Sequence, residues 1–128
     1  MRSDIAQFLA GDVFAVAGAS NDRSKFGNKV LRCYWRHDRV AYPLNPLRDT
    51  VEGQPCFASV ADTPRPVHGL SLVTPPPASL EVIRQAAAAG VRHVWFQPGA
   101  ESPEAVALAR ESGMNTIADG SCLLVELG

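Results

Sequence analysis

Short apolar runs alternate along this chain with segments whose apolar positions recur at helical spacing. Val13-Phe14-Ala15-Val16-Ala17 is a continuous apolar run that stops at Gly18, the pattern of a strand buried on both faces. Gly27 to His37 follows, with Val30, Leu31 and Tyr34 on one helical face. Arg39-Val40-Ala41-Tyr42 predicts a second strand that stops at Pro43. Leu70-Ser71-Leu72-Val73 predicts a third, closed by Pro75-Pro76-Pro77. The stretch from Leu80 to Ala89 reads as a helix, with Gly90 in the capping position behind it. Val91 to Phe96 predicts a fourth strand. Ser102-Pro103-Glu104 supplies a capping serine, a first-turn proline and a first-turn acid, so a helix starts there. It ends at Gly113, and Met114 to Ala118 predicts a fifth strand. A helix from about Ser3 to Ala10 precedes them all.

Strand, helix and strand repeated in this way specify an α/β fold: a five-stranded parallel sheet with helices on both faces, a three-layer sandwich. Ligands bind such sheets at the carboxyl ends of the strands, near the point where strand order reverses. The segments Gly18 to Gly27, Pro43 to Pro46, Thr74 to Pro77 and Gln97 to Ser102 are therefore where function is expected.

The first of these reads Gly18-Ala19-Ser20-Asn21-Asp22-Arg23-Ser24-Lys25-Phe26-Gly27. It follows a strand and opens a helix, the setting in which backbone N–H groups hold a phosphate. Its glycines match neither GxGxxG nor GxxxxGK[ST], so it reads equally as a plain turn or an unlisted anion site. Charge tilts the balance. Residues 21–39 carry six cations (Arg23, Lys25, Lys29, Arg32, Arg36, Arg39) against Asp22 and Asp38, a local net of +4, while the rest of the chain nets −5. Arg32 and Arg36 lie well along the helix and are expected on a solvated face. Lys25 sits at the helix N-terminus, where a cation opposes the macrodipole at a cost of about 0.3–1 kcal/mol unless an anion is bound there.

The other loops narrow the ligand. A dinucleotide site places an Asp or Glu at the end of the second strand; here Asn45 stands between Pro43 and Pro46, with no carboxylate, which argues against NAD. Asn45 could bond a base or ribose, with Pro46 as a stiff wall. Thr74-Pro75-Pro76-Pro77 reads as an extended ledge, suited to an adenine ring or a pantetheine arm, although a helix lead-in would also tolerate these residues.

Composition sets the outer bounds. The 128 residues fit one domain. Twelve basic residues against thirteen acidic ones exclude a protein built to hold a nucleic-acid backbone. Cys33, Cys56 and Cys122 neither pair nor show metal-site spacing, which points to a reducing, cytoplasmic compartment. The apolar run to Ala19 is too short for a membrane span. His37, His68 and His93 are scattered, and Trp35 and Trp95 are expected to pack.

Taken in order, Val-Ala-Gly-Ala-Ser (16–20), Ser-Lys-Phe-Gly (24–27), Pro-Leu-Asn-Pro (43–46), Val-Thr-Pro-Pro (73–76), Val-Trp-Phe-Gln-Pro-Gly-Ala (94–100) and Ser-Cys-Leu-Leu-Val-Glu (121–126) resemble the small stand-alone CoA-binding domain proteins, and through them the CoA-binding domain of the succinyl-CoA synthetase alpha subunit. The resemblance covers nearly the whole chain. It implies a Rossmann-like fold that binds CoA or acyl-CoA as a small-molecule ligand without catalysis of its own. The ligand would be held by Gly18, Ala19, Ser20, Ser24, Lys25, Phe26, Gly27, Asn45, Pro46, Thr74, Pro75, Pro76 and Gln97. Cys122 becomes a possible partner for the ligand's thiol. Two departures fall at the thiol end: Ser121 stands where many relatives have Arg, and Thr74-Pro75 where many have Phe-Arg. The alternatives are a small NAD(P)-linked oxidoreductase and a regulatory subunit of a larger acyl-CoA enzyme; a protein partner or a homodimer is compatible with each.

Overall fold

The apolar run Val13–Ala17 forms β1 with every residue buried, the central position that such a run demands in a parallel sheet. The computed structural model describes residues 1–128. In chain order the elements are α1 (Ser3–Leu9), β1, α2 (Phe26–Arg36), β2 (Val40–Leu44), a hairpin of β3 (Thr50–Val51) and β4 (Gln54–Pro55), a 3-10 turn at Val60–Asp62, β5 (Gly69–Leu72), α3 (Pro76–Ala88), β6 (His93–Phe96), α4 (Pro103–Glu111), β7 (Asn115–Ile117) and α5 (Leu123–Glu126). Five strands lie in the order β2-β1-β5-β6-β7, all parallel. The architecture is the expected α/β, Rossmann-like sandwich. A single parallel bridge joins Leu44 to Phe57 outside β2. Counted as a vestigial strand, it completes the 3-2-1-4-5-6 order of the dinucleotide-binding fold.

Side-chain alternation along β1 divides the core in two. Phe14 and Val16 join Ile5, Phe8, Leu31, Tyr34 and Trp95 under α1, α2 and α5. Ala15 and Ala17 join Leu72, Ile83, Phe96 and Ala105 under α3 and α4. The small alanines let α3 approach the sheet, while Phe14 stacks on Tyr34 at 4.8 Å between centroids.

Several boundaries differ from the sequence reading. The second strand runs through Pro43 to Leu44, because the residue outside it, Phe57, donates its N–H to the Pro43 carbonyl and asks for no donor in return. The proline run is not an extended ledge. Pro75 alone is extended, and Pro76 and Pro77 form the first turn of α3, four residues ahead of Leu80. Proline loses nothing there, since first-turn N–H groups have no intrahelical acceptor and its φ is already helical. The hairpin, the 3-10 turn and α5 were not read at all.

At the amino ends of β5 and β6, the rings of His68 and His93 stack 4.4 Å apart. His68 Nε2 donates to the Gln7 carbonyl at 3.0 Å. Asn115 Nδ2 donates to His93 Nδ1 at 3.1 Å and to the Asp4 carbonyl at 2.8 Å. Both histidines therefore help dock α1. No helix is long and apolar enough to cross a membrane.

Candidate functional site

β1 and β5 are neighbours whose crossovers leave in opposite directions, so strand order reverses between them. Gly18 ends β1 at this switch point with φ +88°, and a Cβ there would sit 3.0 Å from the Val73 carbonyl. Gly27, in the first turn of α2, comes closer still: a Cβ would lie 2.1 Å from the Gly18 oxygen. The two glycines let the start of α2 rest directly on the turn that leaves β1. What Gly27 approaches is the strand's own turn.

The intervening loop is held from within. Asp22 Oδ1 accepts from the Ser24 N–H at 3.0 Å and from Ser24 Oγ at 2.6 Å, and these bonds hold the Asp22 carboxyl below its usual range. Ser20 Oγ accepts the Asp22 N–H at 3.0 Å. The β3–β4 hairpin clamps the loop from outside. Asn21 exchanges hydrogen bonds with the backbone of Thr50 and Glu52. Glu52 pairs with Arg23 at 2.8 Å, and that guanidinium, followed by Asn28 and Arg32, lowers the Glu52 carboxyl. Buried Asn28 donates to the Ser20 carbonyl at 2.8 Å and accepts from Arg32 Nε at 2.6 Å. Arg32 is therefore not the freely solvated cation its position suggested; it orients Asn28.

The result is a helix end with nothing of its own on it. Lys25 occupies the N-cap position with no side-chain cap, no acid stands in the first turn, and no residue pairs with Lys25 in a salt bridge. Each of the other four helices has at least one first-turn donor taken by a side chain or removed by proline. Asp4 accepts the Ile5 N–H at the start of α1. Pro76 and Pro77 have no N–H to offer in α3. Ser102 Oγ accepts the Ala105 N–H in α4 at 3.2 Å. Gln97 Oε1 accepts the Leu123 N–H in α5 at 2.9 Å. Only α2 leaves every first-turn donor open beside a cation with no ion pair, the arrangement that binds an anion.

The remaining expected residues line up along the carboxyl edge of the sheet. Asn45 donates to the Ala19 carbonyl at 2.9 Å and accepts the Leu47 N–H at 2.9 Å, so its amide fastens the β1 and β2 turns and keeps one N–H to spare. Thr74 lies against Gly18, and its hydroxyl meets Ser79 Oγ at 2.7 Å, which in turn donates to the Ala100 carbonyl at 2.7 Å. Ala17, Gly18, Leu44, Pro46, Ser59 and Thr74 face a small cleft of about 50 Å³, so a larger ligand must lie over the edge rather than inside it. A wider hollow of about 240 Å³ beyond β2, lined by Trp35, Tyr42, Pro43 and Phe57, contains no charged side chain. Gln97 is fully buried one strand beyond Thr74, and its Nε2 has no hydrogen-bond acceptor. Phe26 is half-buried on the α2 face. Sequence reading missed Asn28, Glu52 and Ser79, because their partners are distant in the chain.

A model of the CoA binding domain matches residues 12–128. The chain belongs to the CoA binding domain family. Solved structures agree with the family's fold. A conserved hypothetical protein from Pyrococcus furiosus is 35% identical, over 91% of this chain and 99% of that one, with a TM-score of 0.84. A hypothetical protein from Pyrococcus horikoshii is 29% identical, over 96% of this chain and 86% of that one, with a TM-score of 0.90. The dinucleotide-forming acetyl-coenzyme A synthetase 1 of Ca. Korarchaeum cryptofilum is 28% identical, with a TM-score of 0.79, over 91% of this CoA binding domain chain but only 27% of the synthetase.

Proposed function

We propose that residues 1–128 act as one unit that binds CoA or an acyl-CoA and performs no chemistry of its own, with the pyrophosphate on the first turn of α2. One observation carries this: of five helix N-termini, only that of α2 has no first-turn donor taken or removed, and it bears the unpaired Lys25. In this reading the turn around Gly18, Ala19 and Ser20 carries the backbone past the phosphates. Ser24 and Gly27 shape the approach and Lys25 balances charge. Phe26, Asn45, Pro46, Thr74, Pro75 and Pro76 border the adenosine or upper pantetheine, and Gln97 lies toward the thiol end. The CoA binding domain match and the likeness to part of an acetyl-coenzyme A synthetase support the ligand's identity. An NAD-linked oxidoreductase would need a carboxylate at the end of β2, where Asn45 stands with its amide already engaged on the backbone.

Calorimetric titration with CoA, NAD and ATP tests the reading, and CoA is expected to bind tightest. Lys25→Ala should weaken CoA by about 1.5–3 kcal/mol, the range of a charge-assisted hydrogen bond, and Arg36→Ala by much less. NAD binding tighter than CoA, or equal losses in the two variants, would overturn the proposal.

A further inference from the structure

The carboxyl edge of the sheet is a continuous track. Asn45 at the end of β2 holds the β1 turn through the Ala19 carbonyl. Gly18 abuts Thr74 at the end of β5, and Ser79 ties Thr74 to the segment after β6. Gln97 then ties that segment to α5, accepting the Leu123 N–H, the peptide next to Cys122. Adjacent strands are about 4.8 Å apart, so β6 lies only about 10 Å from β1 along this track. The last group on it is out of balance. Gln97 Nε2 is buried without an acceptor, although a buried donor left unmade is destabilising. Its carboxamide oxygen holds the N–H of the Cys122–Leu123 peptide, so the unfilled donor on the same carboxamide lies next to the backbone of Cys122.

Cys122 and Cys56 are both partly exposed, but Cys56 Sγ donates to the Asn45 carbonyl at 3.8 Å, whereas Cys122 Sγ makes no hydrogen bond and caps nothing. Cys33 is buried on α2, and that burial pushes its thiol up against the opposing pull of Arg36. Burial also raises Cys56. Since the thiolate is the reactive form, both are held back from oxidation and exchange.

We propose that Cys122 is a modification site at which a thiol ligand anchored on α2 is captured as a mixed disulfide when a hydroperoxide is present; the inference rests on the CoA reading above. Hydrogen peroxide oxidises the Cys122 thiol to a sulfenic acid and releases one water. The CoA thiol then attacks that sulfur, an S–S bond forms, and the sulfenic oxygen leaves with the thiol proton as a second water. Two thiols lose two electrons in all, and the peroxide takes them up. A dithiol reductant reverses the step by exchange.

The test treats the full chain with hydrogen peroxide and either CoA or pantetheine, which has the same thiol arm without the phosphates, and reads adducts by intact mass and peptide mapping. One CoA less two hydrogens is expected on Cys122, lost in Cys122→Ser and kept in Cys33→Ser and Cys56→Ser. Anchoring raises the local thiol concentration, so CoA should react about tenfold or more faster than pantetheine. Equal rates, an adduct spread over the three cysteines, or an internal Cys33–Cys122 disulfide would overturn the inference. Calorimetry on the reduced protein separates the two failures: no CoA binding removes both readings, whereas CoA binding without a Cys122 adduct removes only this one.

Discussion

The helices α2 and α4 start at the same edge of one sheet and open in opposite ways. α4 begins with Ser102, Pro103 and Glu104: the serine takes the Ala105 N–H, the proline brings no donor, and the acid favours the positive helix end. α2 begins with Lys25, which has the wrong charge for a helix start and leaves the first-turn donors open. A missing cap and an opposed charge together cost about 1–2 kcal/mol. Such a cost is recovered only when an anion completes the end. One helix start is completed by its own residues; the other is left open, as the proposed ligand site requires.

Gly27→Ala should break the comparison most severely. A methyl group would meet the Gly18 carbonyl at 2.1 Å, so α2 must move off the turn, at a cost of about 3 kcal/mol in urea unfolding and with loss of CoA binding. Alanine's better helix propensity, about 1 kcal/mol, would prevail only if that contact were unimportant, and a stabilised variant would show this. Lys25→Asp should make α2 resemble α4. The expected result is stability raised by about 0.5–1 kcal/mol while CoA affinity drops at least as far as in Lys25→Ala; undiminished affinity would refute the anion site. The converse change, Ser102→Ala, should cost about 1 kcal/mol of stability and leave calorimetric CoA affinity where it was.

The smallest effect concerns the other end of the sheet, where no ligand is expected. Burial first, then His68 and Arg92, holds the His93 imidazole below its usual range, and Nδ1 already accepts from Asn115. A lowered value means that the unfolded chain binds the proton more readily. Stability is therefore full above the ordinary histidine range and declines as pH falls toward the lowered value. Thermal unfolding between about pH 7.5 and 5.5 should show a drop of a few degrees that flattens in His93→Gln. CoA affinity should be no different in the variant; a change would mean that the two ends of the sheet are coupled.

How much of this was legible depends on where each residue's partners lie. The five strands and four longer helices follow from runs such as Val13–Ala17 and from punctuation such as Ser102-Pro103, because alternation, helical spacing and caps are local. The loop at Gly18 and the cation at Lys25 were legible for the same reason. The hairpin was not: each of its strands has two residues, too few for any periodicity, and only the Glu52-Gly53 pair hints at its turn. The proline run misled because the same three residues suit an extended ledge or a helix start, and the packing of Ser79 beneath the next loop selects the helix.

By itself the sequence determined the class of fold, the order of its elements and the location of an anion-ready helix start, since burial pattern, capping chemistry and charge act over a few neighbouring residues. The tertiary structure decided what those residues are free to do. Asn45 read as a ligand residue and Arg32 as a solvated cation, yet hydrogen bonds to Ala19 and Asn28 tie both into the scaffold. Gln97 reads as a residue of the ligand edge, but only folding buries it next to the Cys122–Leu123 peptide with one donor unmet. A hydrogen bond depends on distance and direction in space, and for partners separated along the chain only the packed sheet and helices set those.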